Sequence, residues 1–356
     1  MSKKQIPFWA LLISGFLGLL LIAEPVRAEE VSARIGRVVF SPSSPERMSL
    51  VVSVFNDKGR AEEDLGLDSF LVEEDGEGPF NIDSVTPFMA SSGQIGYMVL
   101  LDTREDLPTS LSMVSRGLSG FITEMGFRHS GGILTYTGGI HIVARPTKNA
   151  GFLLEKLNTV DIMPGKPVLA DGLMAGIRAL ETIGIDTESG LEQKALILLT
   201  DGIESKHYFS LHAVREKLLQ NQAALYVIGF GRLETYSLPD LASMAAQSGG
   251  GYFFAHTPAS IEPLLASIAR RLKHSYVLEY SARKIRPDGG LHTIRVQVKT
   301  PNGPASGELR FIAPDFGKDR YRYAFAGLIL GVVLLTLLLL YAAFRPRTAR
   351  KAQRRS

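Results

Sequence analysis

The sequence predicts an α/β fold. A doubly wound, mostly parallel sheet is inserted between β-strand flanks, and a C-terminal transmembrane helix follows. Between residues 94 and 272, uniformly apolar strands alternate with amphipathic helices. On either side of that region short strands and turn formers recur without a helical stripe. Near the end, the 22 residues from Tyr323 to Phe344 carry no charge and run straight into a basic tail.

The first 28 residues read as a signal peptide. Lys3 and Lys4 open it, Pro7 to Ala23 is apolar, and Val26-Arg27-Ala28 offers a cleavage site. An uncleaved anchor is the alternative, and both place the N-terminus in the cytoplasm. Residues 29–93 form an N-terminal β region, with strands expected at Arg37 to Phe40, Ser49 to Phe55, Phe70 to Glu73 and Asn81 to Val85. Asn56-Asp57 and Asp75-Gly76 separate them as turns.

Within 94–272, Tyr97 to Leu101 and Ala195 to Leu199 are apolar throughout, as in strands buried on both faces. Ile133 to Thr137, Ile140 to Ala144, Ala224 to Phe230 and Tyr252 to Phe254 supply further strands. Leu107, Leu111, Val114, Leu118, Phe121, Ile122 and Met125 keep helical spacing. Helices are also expected around Phe152 to Leu157, Leu173 to Ile183, Leu211 to Leu218, Leu238 to Met244 and Ile261 to Leu272.

Residues 273–314 return to strands at Ser275 to Ser281, Thr293 to Lys299 and Glu308 to Ile312. Ile294, Val296 and Val298 alternate with Arg295, Gln297 and Lys299, so the apolar set points inward. Asp288-Gly289-Gly290 is expected to close a hairpin between the first two of these strands. Each flank is small for a core of its own. Either both flanks build one β-sandwich around the inserted region, or each folds as an independent module.

A short juxtamembrane stretch, 315–322, leads to the span at 323–344. At 1.5 Å per residue the span reaches about 33 Å, enough to cross a bilayer core. Arg345, Arg347, Arg350, Lys351, Arg354 and Arg355 crowd the tail, 345–356, and mark it as cytoplasmic. Residues 1–28 carry +2 and the tail +6, so the overall +3 leaves −5 for residues 29–344. The basic balance therefore belongs to targeting and orientation, and nucleic-acid binding has no support. The absence of Cys removes thiolate metal sites, thiol nucleophiles and iron–sulfur clusters. With no Asn-x-Ser/Thr sequon either, the bulk of the chain fits a bacterial periplasm or cell surface.

Ligands of open α/β sheets bind beyond the carboxyl ends of the strands. Those ends read Leu101-Asp102-Thr103-Arg104-Glu105-Asp106 and Leu199-Thr200-Asp201-Gly202. With Ser248-Gly249-Gly250-Gly251-Tyr252-Phe253, they make residues 94 to 272 resemble the von Willebrand factor type A (VWA) domain, and the flanks, including Tyr276-Val277-Leu278-Glu279-Tyr280 after the last helix, resemble those of bacterial membrane-anchored proteins that carry such a domain. The resemblance implies a protein-interaction role without enzymatic activity. It also implies a metal-ion-dependent adhesion site built from an Asp-x-Ser-x-Ser loop, a Thr loop and a third-loop Asp around Mg²⁺. Asp102 and Asp201 match two of those ligands, while Arg104 and Asp106 replace the two Ser. The Thr loop falls near Gly165-Lys166-Pro167-Val168, which has no hydroxyl.

A guanidinium cannot ligate a cation, so Arg104 between the two Asp residues would take over the metal's charge role. The expected partner face is Arg104, Lys166, Asp201 and Arg232, binding an extracytoplasmic protein without a metal. The alternative keeps Mg²⁺ on Asp102, Asp106 and Asp201. A hydrolase using these carboxylates is a third reading. No phosphate loop, nucleophile elbow or i, i+4 His pair supports other chemistry.

Overall fold

The structure is a computed structural model. It describes residues 31–316 except 42, 57–58, 108, 110, 184–191, 206–207 and 232–237. The segments read as signal, span and tail lie outside the described residues, as does Arg232.

The N-terminal flank forms β1 (Val31–Phe40), β2 (Arg47–Asn56), β3 (Phe70–Glu74), β4 (Glu77–Asn81) and β5 (Ser84–Pro87). The single strand expected at Asn81 to Val85 is thus two short strands split at Ile82-Asp83. Pro79, which breaks strand pattern in sequence, lies in β4 at the edge of its sheet, where its missing N–H is tolerated. The C-terminal flank forms β12 (Ser275–Ser281), β13 (Leu291–Thr300) and β14 (Gly303–Ile312).

These flanks interleave in two four-stranded sheets, ordered β1-β2-β12-β5 and β14-β13-β3-β4. Ile35, Leu50, Val52 and Leu278 of the first sheet meet Val72, Ile294, Val296 and Phe311 of the second in one core. Asp288-Gly289-Gly290 does not close a hairpin, because β12 and β13 belong to different sheets. The crossover between them is held by Glu74. Its buried carboxylate accepts from the backbone N–H groups of Arg283, Lys284 and Ile285 at 3.1, 2.5 and 3.0 Å. Three converging amides solvate a charge that the core could not otherwise hold.

The intervening region forms six more strands: β6 (Gln94–Leu101), β7 (Ser130–Thr135), β8 (His141–Thr147), β9 (Glu192–Thr200), β10 (Ala223–Phe230) and β11 (Gly251–Ala255). They make one sheet ordered β11-β10-β9-β6-β7-β8, parallel except for β8. Helices α1 (Leu111–Met125) and α6 (Ile261–Lys273) cover one face, where Leu118, Phe121 and Ile268 pack on Tyr97, Val99 and Ile197. Helices α3 (Leu169–Glu181), α4 (Leu211–Asn221) and α5 (Leu238–Gln247) cover the other, with Leu173, Val214 and Met244 against Met98 and Leu198. A short helix α2 (Ala150–Leu157) follows β8.

The outer face of the first sandwich sheet packs under the α/β body, so Val51 and Val277 join that body's core. This explains why β2 is apolar from Leu50 to Phe55, Ser53 apart, and buried without alternation: both of its faces are covered. The contact is close enough to require glycine. Gly249 has φ 77°, and a Cβ there would sit 2.1 Å from the Ile35 carbonyl oxygen. Arg34 donates to the Gly250 carbonyl and Val38 N–H to Gln222 Oε1 at 2.8 Å. Arg271 lies over the ring of Phe55 at 4.6 Å, on the same boundary.

Two outcomes follow from this packing. Glu74→Ala strands three amides and should cost roughly 2–4 kcal/mol in urea unfolding. His129 is buried and its Nδ1 accepts the Ile95 N–H at 3.2 Å. Burial, followed by the charges of Arg128, Lys273 and Lys148, lowers its pKa from 6.5 to about 4. The neutral form is the folded form, so this contribution is complete above pH 6.5 and is lost as pH falls toward 4. It amounts to at most about 3 kcal/mol. The difference in urea midpoint between wild type and His129→Gln should therefore shrink across that window. A constant difference would show that the imidazole does not titrate there.

Candidate functional site

β6 and β9 lie side by side at the centre of the sheet, and the chain leaves them in opposite directions. Their carboxyl ends therefore flank the crevice where the strand order reverses. Asp102 follows β6 and Asp201 follows β9, both buried. Arg104 joins them. Its Nε donates to Asp102 Oδ2 at 2.8 Å and its Nη2 to Asp201 Oδ1 at 2.7 Å.

Each carboxylate accepts further bonds. Asp102 Oδ1 accepts from the Thr137 hydroxyl at 2.7 Å and the Arg104 N–H at 3.2 Å, while Asp201 Oδ1 also takes the Ile203 N–H at 3.0 Å. Thr137 Oγ1 in turn accepts the Thr103 N–H at 2.9 Å. Burial alone would lower the Arg104 pKa. The hydrogen bond that Arg104 donates to Asp201, the charges of Asp102 and Asp201 and the bond donated to Asp102 more than reverse that and hold it above its ordinary value. Arg104 is 7% exposed and permanently charged, whereas Asp106, 3.5 Å from Nη1, is 78% exposed and only loosely engaged.

The loops around this centre are tied to one another. Lys166 accepts the Gly138 N–H through its carbonyl at 3.0 Å, and Pro167 accepts from Ser205 N–H at 3.0 Å. Helix α3 has no side-chain cap of its own, and Glu204 supplies one by accepting the Ala170 N–H at 3.0 Å. Asp171 accepts the N–H groups of Tyr208 and Phe209, each at 2.9 Å. Arg104, Asp106, Lys166, Ile203 and Glu204 line a cleft of about 560 Å³ on this face. Exposed Ile162, Ile203 and Tyr208 add apolar surface, Tyr208 at 96% exposure.

Of the expected partner face, Arg104 and Lys166 share the cleft, and Asp201 lies behind Arg104. The hydroxyl missing from 165–168 is supplied by Thr137, one loop earlier, which the sequence reading passed over. It lies two residues past the end of β7, so inspection of every strand end would have found it. Glu204 went unnoticed because its role depends on a helix start 34 residues away in sequence.

These donors do not suit a hard cation. The guanidinium occupies the space between the two carboxylates, and Asp106 points to solvent. Among the described residues no three His, Asp or Glu side chains are grouped to hold a metal ion. Both carboxylates are instead committed to one permanent cation.

No family model matches the chain, and no curated protein matches it. Similar solved structures include the conserved hypothetical protein BatB from Bacteroides thetaiotaomicron, at 14% identity and TM-score 0.39, over 50% of this chain and 99% of that one. A von Willebrand factor type A structure from Catenulispora acidiphila is 12% identical with TM-score 0.42, over 81% of this chain and 75% of that one. The vWF domain of the type V pili tip protein Mfa5 from Porphyromonas gingivalis is 11% identical with TM-score 0.41, over 50% of this chain and 94% of that one.

Removing the cation should expose the cost of this arrangement. Arg104→Met leaves two buried carboxylates facing each other and should lower stability by about 3–5 kcal/mol at pH 7. Adding Asp102→Asn and Asp201→Asn should restore much of that loss. Equal destabilisation in the single and triple variants, read by chemical denaturation, would rule out charge compensation as the role of Arg104.

Proposed function

We propose that the chain is a VWA-type interaction protein that is not an enzyme. It is tethered to a bacterial membrane by the segment 323–344, with its bulk outside the cytoplasm. Its docking surface is the face around Arg104, Asp106, Lys166 and Ile203, and it engages a protein partner without a bridging metal. One observation carries the reading: Arg104 Nε and Nη2 are bonded to Asp102 and Asp201, where the family places its cation. The centre of the surface is thereby assembled in advance, with the Arg104 charge fixed by internal bonds, the exposed Asp106 and Lys166 around it and Ile203 and Tyr208 on the neighbouring loop. Preorganised charge and exposed anchors are what specific protein docking uses.

The signal-like start, the apolar run and the basic tail support the tethering. They give a partner on the same membrane, or on a facing one, as the natural target. Mg²⁺ has no part in this reading, and neither does catalysis.

The test is crosslinking of partners in intact membranes, comparing wild type with the exposed substitutions Asp106→Lys, Lys166→Glu and Tyr208→Ser. Because these side chains are solvent-exposed, folding should be unchanged. A specific crosslinked species should weaken by tenfold or more in at least one variant and persist in EDTA. A species that vanishes in EDTA, or is indifferent to all three substitutions, would place binding elsewhere.

A further inference from the structure

A second cleft, of about 360 Å³, lies where the α/β body joins the sandwich. The chain enters that body after Pro87 and leaves it after Lys273, and the two crossings run side by side because Tyr276 pairs with Pro87. Both crossings line the cleft, together with the loop Glu62-Glu63-Asp64-Leu65 between β2 and β3.

Its chemistry is divided. Leu65, Met89 and the Tyr276 side chain give apolar lining, and Glu63 and Asp64 give an exposed acidic rim. The loop is pinned before any ligand arrives. The Tyr276 hydroxyl donates to the Glu62 carbonyl at 2.8 Å and accepts the Leu65 N–H at 3.4 Å. Asn302 Nδ2 holds the Glu62 carboxylate at 2.8 Å. The one lysine at the cleft is already committed, since Lys273 Nζ bonds Glu124 Oε1 at 2.5 Å and the Glu124 carbonyl at 3.1 Å. His274 approaches Glu63 at 3.6 Å, but both side chains are largely exposed, so that contact is exchangeable.

A preformed pocket with an apolar lining, a spent internal cation and two exposed carboxylates is complementary to a positive charge on an apolar stem. Its volume falls at the small end of the roughly 300–1,000 Å³ typical of ligand sites. We propose that this junction cleft binds an organic cation, its stem over Leu65, Met89 and Tyr276 and its charged head at Glu63 and Asp64. The head is an ammonium or guanidinium, carried by a free amine or by a Lys or Arg side chain of a partner. The occupant touches the sandwich loop and both crossings together, so its binding stabilises the junction of the two bodies. This site is separate from the face around Arg104 and does not depend on that face's function.

The test uses the full-length chain and three matched probes: 2-phenylethylamine, 2-phenylethanol and 3-phenylpropionate. A fourth probe, the peptide acetyl-Leu-Lys-Leu-amide, represents a partner side chain. Thermal unfolding should show a saturable rise in Tm with the amine, the peptide or both, and none with the alcohol or the acid. Glu63→Gln combined with Asp64→Asn should weaken that binding roughly tenfold. Asp64 has φ 59°, a conformation that Asn also accepts, so the double variant keeps its fold. A response to the amine alone identifies a small-molecule cation, and a response to the peptide alone identifies a protein side chain. No saturable shift with either cation, an equal shift with the alcohol, or full binding by the double variant would overturn the proposal.

Discussion

The guanidinium of Arg104 sets the character of the whole upper face. Parallel strands β6 and β9 each run into an acidic residue immediately past their ends, and two buried carboxylates so placed repel each other. Something positive has to stand between them. Arg104 comes from the same loop as Asp102, so the cation is covalently supplied and arrives with the fold. Three loops then organise around the filled centre: Thr137 reaches Asp102, Ile203 N–H reaches Asp201, and Met163 N–H reaches the Thr103 carbonyl. A buried ion pair of this kind is not a net source of stability compared with an apolar replacement. Its effect is to fix loop positions, and fixed loops lose less entropy on docking.

The second constraint is the insertion. Because β12 pairs with both β2 and β5, the C-terminal flank completes a sheet that the N-terminal flank begins. The strands that close the sandwich are therefore separated in sequence by the whole α/β body. In return, the shared sheet gives that body a floor: β2 and β12 present apolar residues upward and downward at once. The strand that leads to Asp201 at its upper end carries Gln193 near its lower end, and the Gln193 amide is bonded to the last turn of α6 beside the sandwich. Upper face and base are thus ends of the same rigid strands.

Much of this was legible in the sequence because burial on both faces writes itself as an unbroken apolar run. Tyr97 to Leu101 and Ala195 to Leu199 could be read as central strands for that reason, and the alternation of Ile294, Val296 and Val298 gave β13 its inward face. What the sequence hid were relations rather than elements. Strand pairing across 200 residues leaves no local mark, so Asp288-Gly289-Gly290 looked like a hairpin when it is part of a crossover between sheets. Pro79 disguised β4, since an edge position excuses a missing donor only once the edge is known. Thr137 sits just past a strand end, where the sequence could have flagged it, but its bond to Asp102 is what makes it part of the centre. Gly249 showed the opposite case: its glycine was visible, but its reason, the Ile35 carbonyl, lies in another body.

The distribution of charge brings these points together. The excess of cations sits in the segments at the two chain ends, and the region between them is acidic by five. Within that region the acids are spent differently from place to place. Asp102 and Asp201 are neutralised by an internal cation, Glu74 by three amides, and Asp171 and Glu204 by helix and loop N–H groups. Each of those carboxylates is consumed in building structure and has little left for a ligand. Exposed acids such as Asp106, Glu63 and Asp64 are not consumed in this way, and they border concave surfaces. Recognition by this chain is accordingly expected at the carboxylates that folding leaves free, rather than at the buried pair that first draws the eye.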